Sequence, residues 1–503
     1  MIFESISHIT NKEEFAEKIL IYIRLVEVLA ERDKISIPQV LRPSDEMVKE
    51  MKEMGVIASD EDVTLLKKVV ASNYDRFLSA ISFYLSHKEL YGNQLDRLNN
   101  KKRKILQERE AKTNKPKMVD FFAGAGGLSC GFTQAGFKVC FANDFEDVCV
   151  RTYRYNHPEL PSNKVLKEDI KKIVSNIQDY VNEDIDIVVG GPPCQGFSSA
   201  NQQRIIDDPR NELYKYYIEA IKRICPKFVV MENVRGMLSV ANQVVEDYKA
   251  IKINKNGKEY TYDISYRLLN SMNFGVAQSR ERLIYIAVRN DISTSKQVTP
   301  EVLFKEIEDN YIKQGPFTLR DALEFIKPLD APRIKGMTET DDEKTGMKIG
   351  VNTYDSSGNK YLSTINQGRH LPYVFNHKAR YCSDVNYEIF KRLDQGEDST
   401  SPKIADIMPY AHRNGIFKDK YFKLYADKPC RTITAHLRMD CLSHIHPYQI
   451  RSITPREAAR VQSFPDDYFF LGAYLKTYMQ IGNAVPVLMA NKIATVIKQY
   501  IYE

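Results

Sequence analysis

The sequence predicts an α/β protein: a mostly parallel sheet covered by helices on both faces, joined to a smaller second domain and preceded by a helical extension. Two observations carry this. Short apolar runs at MVDFF (118–122), FKVCFAND (137–144), IDIVVGG (185–191), KFVVMENV (227–234) and RLIYIAVR (282–289) alternate with helical segments such as 211–224. Continuous apolar strands separated by helices are the pattern of a sheet buried on both faces. Glycines, prolines and charged residues collect just beyond the strands, where ligands of such sheets bind.

Taken in order, residues 1–110 form a separate helical block. Thr10 with Glu13 resembles a capping box, ahead of a periodic run through Phe15, Ile19, Ile23 and Val26. Leu65, Leu66, Val69 and Val70, then Phe77, Ile81 and Leu85, continue the helical pattern, punctuated by Pro38, Pro43 and Gly55. A helix-turn-helix DNA reader and a packing or dimerisation extension both fit. The basic stretch KKRKILQEREAKTNKPK (101–117) suits phosphate contact or a solvated linker equally. Residues 117–294 carry the strands and form the main domain. Residues 295–477 are polar, rich in Lys, Asp, Tyr and His, and read as a second domain and hinge with long loops. Residues 478–503 return to the main domain and end in a helix after Pro486.

The 503 residues suit two or three domains, and 43% hydrophobic with 27% charged residues is a globular composition. No apolar run is long enough to span a bilayer. The N-terminus, with Glu4, Glu13 and Glu14, lacks the basic start and apolar core of a secretory leader. A net charge of +6 permits a polyanionic partner without requiring one. The eight cysteines are scattered, with no C-x-x-C pair, so neither a disulfide framework nor a metal site is expected. That usage fits a reducing compartment.

Four segments carry candidate chemistry. DFFAGAGGLSCGF (120–132) is a strand–glycine-turn–helix in which Gly124, Gly126 and Gly127 let backbone approach a ligand. With Asp144 at the end of the next strand, it suits the ribose of an adenosine-like cofactor, and a dinucleotide remains open at this point. GGPPCQGFSSA (190–200) presents Cys194 between a proline and a Gln-Gly turn at a strand end, a place for an accessible thiolate, with a buried inert cysteine as the alternative. MENVRG (231–236) puts Glu232 at a strand end, as a proton-sharing carboxyl or a helix cap. QSRERLIYIAVR (278–289) offers Arg280 and Arg282 two apart, able to grip a carboxylate, phosphate or carbonyl, or to lie at a solvated strand start.

In this order the segments resemble the DNA (cytosine-5) methyltransferase family of bacterial restriction-modification systems. DFFAGAGG, ND (143–144), EDI (168–170), GPPCQGFS, ENV (232–234), QSRER (278–282), RSITPREAARVQSFPDDY (451–468) and QIGNAVPVLMA (480–490) are similar to its successive motifs, covering about residues 117–503. The resemblance implies a class I S-adenosylmethionine-dependent methyltransferase (Rossmann-like) large domain, a smaller target-recognition domain and the N-terminal helical extension. It implies Cys194 as nucleophile toward cytosine, Glu232 at the N3 edge, Arg282 at O2 and Arg280 supporting the loop. For the cofactor S-adenosyl-L-methionine it implies Phe122 and the glycine turn (Gly124, Gly126, Gly127), Asp144 on the ribose, and Phe145 against the adenine. Asp169 and Ile170 are implied at the adenine edge, with Leu213 and Asn483 completing the pocket. Arg431, Thr432 and Thr434 are candidate DNA contacts, or part of a buried connection into 451–468. The implied partners are double-stranded DNA and a cognate restriction endonuclease, for a cytoplasmic bacterial enzyme acting as a monomer. A transfer RNA methyltransferase of the same chemistry is the nearest alternative, which the long 295–450 segment disfavours. Autoregulation of transcription through residues 1–110 is another.

Overall fold

The computed structural model describes residues 2–193, 212–312, 315–409 and 420–502. A seven-stranded sheet dominates, in the order β3-β2-β1-β4-β5-β9-β8. Its strands are β1 (Lys117–Phe121), β2 (Lys138–Asp144), β3 (Val165–Lys167), β4 (Ile187–Gly190) and β5 (Phe228–Asn233), followed, after the small hairpin β6 (Ile253–Lys255) and β7 (Lys258–Tyr260), by β8 (Tyr262–Asn270) and β9 (Glu281–Arg289). The first five run parallel; β9 is inserted antiparallel between β5 and β8.

The apolar runs are unbroken because both faces are buried. Along β9, Leu283, Tyr285 and Ala287 enter one core while Ile284, Ile286 and Val288 enter the other. Val229 and Met231 of β5 likewise oppose Phe228 and Val230. The helices Ile170–Ser175, Glu212–Ile224 and Ala241–Lys249 cover one face; Gly127–Gln134, Pro300–Asp309 and Val487–Tyr502 cover the other.

Beyond the sheet, β10 (Gly346–Val351) and β11 (Tyr373–Lys378) form an antiparallel hairpin. A small separate core gathers Ala331, Cys382, Ile389, Phe390, Leu393, Ile404, Tyr421, Leu442 and Ile445. The N-terminal block is helical from Lys12 to Ala111 with short breaks. Its first helix, Lys12–Asp33, is capped by Asn11, whose side chain accepts from Glu14 N–H at 3.1 Å. Thr10 instead donates to Glu4 at 3.0 Å. Asparagine is among the strongest N-caps, and the later start leaves Glu13 and Glu14 in the first turn, where the helix dipole favours them. Among the described residues no helix is long and apolar enough to cross a membrane.

Candidate active site

A cavity of about 1490 Å³ opens at the carboxyl ends of β1, β2, β4 and β5. Its first wall is the turn after β1. Phe122 and Gly124 take φ of +55° and +54°, which folds the chain back sharply toward the helix Gly127–Gln134. A Cβ on Gly124 would meet nothing within 4 Å, so the turn leaves open space on the cavity side. Gly126 and Gly127 serve packing instead: a Cβ would come within 2.5 Å of Tyr468 Oη or of Val485 O respectively. Gly127 still lines the cavity; Gly126 does not.

Asp144 locks the turn. Its carboxylate accepts from Gly124 N–H and Glu146 N–H, both at 2.8 Å. Burial pushes its pKa up, and these backbone donors pull it partly back. Beside it the Phe145 ring is 72% exposed at the cavity rim, an apolar face left for a planar ligand. Asp169 caps the helix Ile170–Ser175 through Lys171 N–H at 2.9 Å, and Ile170 is buried behind it. Asp169, Ile170, Leu213 and Asn483 all line the cavity. The Asn143 side-chain oxygen is buried there without a hydrogen-bond partner among the described residues. Open backbone at Gly124, the exposed ring and the carboxylates fit an adenosyl ligand.

The second wall carries the charged pair. Glu232 is the penultimate residue of β5, and Arg282 lies near the start of β9, the strand hydrogen-bonded to β5. Arg282 Nε stands 2.6 Å from Glu232 Oε1, both side chains largely buried. Burial lowers the Arg282 pKa, and Glu232 opposes that shift. Gly191 makes room: a Cβ there would lie 3.0 Å from Glu232 Oε2. Cys194 lies outside the described residues, but Gly191, Pro192 and Pro193 leading to it line the same cavity. Asn233 Nδ2 donates to Pro192 O at 3.0 Å and so holds the root of that loop.

Arg280 lines the cavity, yet its terminal nitrogens are spent on backbone, one donating to Ile433 O and the other to Gly482 O at 2.9 Å. Buried Gln278 completes this lock. Its Oε1 accepts from Ile433 N–H at 2.6 Å and its Nε2 donates to Gln462 Oε1 at 2.8 Å. Gln462 in turn donates to Ile481 O at 2.8 Å. Of the three DNA candidates, Thr432 lines the cavity and donates to Ser279 O at 3.0 Å. Arg431 lies over the Phe422 ring at 4.8 Å, and Thr434 packs against Gly482 at the start of the turn Ala435–Arg438; neither lines the cavity. Asn233, Gln278 and Gln462 were not singled out from sequence. Gln278 stands two residues before Arg280, so the same alternation that pairs Arg280 with Arg282 pointed to it.

The model of the C-5 cytosine-specific DNA methylase family matches residues 116–499. Type II methyltransferase M.DdeI of Desulfomicrobium norvegicum is 32% identical over 76% of this chain and 88% of its own length. M.AgeI of Thalassovita gelatinovora is 30% identical over 76% and 99%, and M.FnuDI of Fusobacterium nucleatum 32% identical over 76% and 94%. A crystal structure of a proposed DNA modification methyltransferase encoded within an E. coli prophage superposes with TM-score 0.58 at 25% identity, covering 77% of this chain and all of that one. The chain belongs to the C-5 cytosine-specific DNA methylase family and is a DNA (cytosine-5-)-methyltransferase whose methyl donor is S-adenosyl-L-methionine.

Proposed function

We propose that Cys194, Glu232 and Arg282 carry the chemistry, and that the enzyme protects host DNA beside a restriction endonuclease of the same specificity. The observation that supports these roles is the Glu232–Arg282 pair, which shares one cavity with the cofactor turn and with the root of the Cys194 loop.

C5 of cytosine is a poor nucleophile inside an aromatic ring. Attack of the Cys194 thiolate at C6 forms an S–C6 bond and pushes the ring electrons toward N3 and O2. Glu232 shares a proton with N3, and Arg282 stabilises the charge at O2. C5 is thereby an enamine-like carbon. Bound S-adenosyl-L-methionine supplies an electrophilic sulfonium methyl group. C5 takes that methyl, the electron pair of the broken S–CH3 bond staying on sulfur as a neutral thioether; loss of the C5 proton to solvent and expulsion of Cys194 as thiolate then restore aromaticity. The base reaches this cavity only when flipped from the duplex, at a cost of a few kcal/mol. Asp144 and Phe145 hold the ribose and adenine of the donor, with Asp169, Ile170, Leu213 and Asn483 around them. Arg280 keeps the 430–434 segment in place. The names of the three type II relatives support the restriction-modification setting.

Expression in a host without cytosine methylation, followed by bisulfite sequencing, tests the reading. One short sequence motif should be methylated nearly everywhere, and DNA so marked should resist the partner endonuclease. A blank map from folded protein would overturn it. Gly124→Ala should raise KM for S-adenosyl-L-methionine about tenfold, because a methyl group enters the open ligand space. It should also cost about 1–2 kcal/mol in thermal unfolding, from the left-handed backbone at that position.

A further inference from the structure

The family match begins at residue 116, so the N-terminal block lies outside it. That block is nonetheless built into the rest of the chain. Its helices share one hydrophobic core with Tyr155, Ile349, Tyr373, Phe375, Phe469 and Leu471. Arg24 Nε donates to Ile349 O at 3.1 Å. Arg97 meets Asp467 at 3.0 Å, a carboxylate that also binds Arg369.

One side chain joins two distant places. Glu17 pairs with Arg151 and accepts from Lys348 Nζ at 2.8 Å. Arg151 lies on the helix Asp147–Asn156, which leaves β2 just after Asp144 and Phe145. Lys348 lies on β10. The β10–β11 hairpin is tied to the segments entering the small core: Asp330 N–H donates to Lys344 O at 2.9 Å and Ala379 N–H to Thr345 O at 2.8 Å. Ala331 and Cys382, next along those segments, belong to that core.

We propose that residues 2–111 are an intramolecular strap that fixes the small core relative to the donor cavity, with Glu17 as its positioning residue. The block grips both sides of the connection, so its loss would loosen the small core, which on the function proposed above belongs to the part that recognises DNA, without touching the reacting atoms. Burial pushes the Glu17 carboxyl up, but Lys348 and Arg151 more than offset it, so the carboxylate stays charged at neutral pH.

The test uses the full chain, labelled S-adenosyl-L-methionine and duplex DNA from a host without cytosine methylation. Methylation by the unaltered chain is the baseline, so failure of the function proposed above shows before any variant is compared. Glu17→Gln and Lys348→Met should each raise KM for DNA about three- to tenfold. The double variant should add little, because the two act through one contact. Both kcat and KM for S-adenosyl-L-methionine should stay within about twofold of the unaltered chain. Glu17→Asp should recover part of the loss, and amide exchange across 346–351 and 373–378 should quicken in Glu17→Gln. An unchanged KM for DNA in folded Glu17→Gln overturns the strap. So does an effect confined to Lys348→Met, which would make that lysine a direct DNA contact. A lower unfolding temperature with unaltered exchange and KM would reduce Glu17 to a merely stabilising residue.

Discussion

Cys194→Ala is expected to lower methyl transfer at least about 10⁴-fold while leaving duplex binding intact. In the proposed mechanism, C6 receives no nucleophile without the sulfur and C5 keeps its aromatic electron distribution. Neither Glu232 nor Arg282 can compensate, since each is proposed only to stabilise charge that the attack creates. The cavity walls on both sides are held without the thiol, Pro192 by Asn233 and the glycine turn by Asp144. Binding of donor and DNA should therefore survive. Single-turnover transfer of labelled methyl, alongside a gel shift of the same variant, checks both halves. Residual transfer within tenfold of the unaltered chain would remove Cys194 from the mechanism.

Glu232→Gln is expected to lower kcat about 10²- to 10⁴-fold, with KM for S-adenosyl-L-methionine little altered. An amide can donate a hydrogen bond to ring N3 but cannot transfer a proton to it. The change also leaves Arg282 without its carboxylate 2.6 Å away in a largely buried site, and an uncompensated charge there costs stability as well as rate. Thermal unfolding should fall together with kcat. Arg282→Ala, by contrast, should leave some N3 assistance and lose less rate. Steady-state kinetics on both variants separates the contributions; a Glu232→Gln enzyme within threefold of the unaltered rate would sink the proton-sharing role.

Sequence alone located most of the sheet because its strands are buried on both faces and so read as unbroken apolar runs. β8 and β3 escaped. β8 is an edge strand whose polar Asp263, Ser265 and Arg267 dilute the pattern, and β3 is too short to announce itself. The antiparallel insertion of β9 is likewise invisible, since an apolar run carries no direction. At the site, residues at strand ends were legible because topology fixes what such ends face. Side chains that bond backbone were not: Asn233, Gln278 and Gln462 act through carbonyls and amides far away in sequence. Gly126 shows the converse. It belongs to the same motif as Gly124, but its missing Cβ makes room for Tyr468, from a segment more than three hundred residues later.

The helix Val487–Tyr502 has a consequence for the order of synthesis. The helix that follows the cofactor turn is roofed by Val487–Tyr502: a Cβ on Gly131 would lie 2.5 Å from Val487 O, Asn491 donates to Gly131 O at 3.2 Å, and Lys498 to Ala135 O at 3.0 Å. Folding during translation proceeds from the N-terminus, so β1–β5 and the helix Gly127–Gln134 emerge well before the helix that roofs them. The helix behind the glycine turn therefore keeps an uncovered face until Val487–Tyr502 has been made, and a chain stopped before Val487 is expected to leave that face bare.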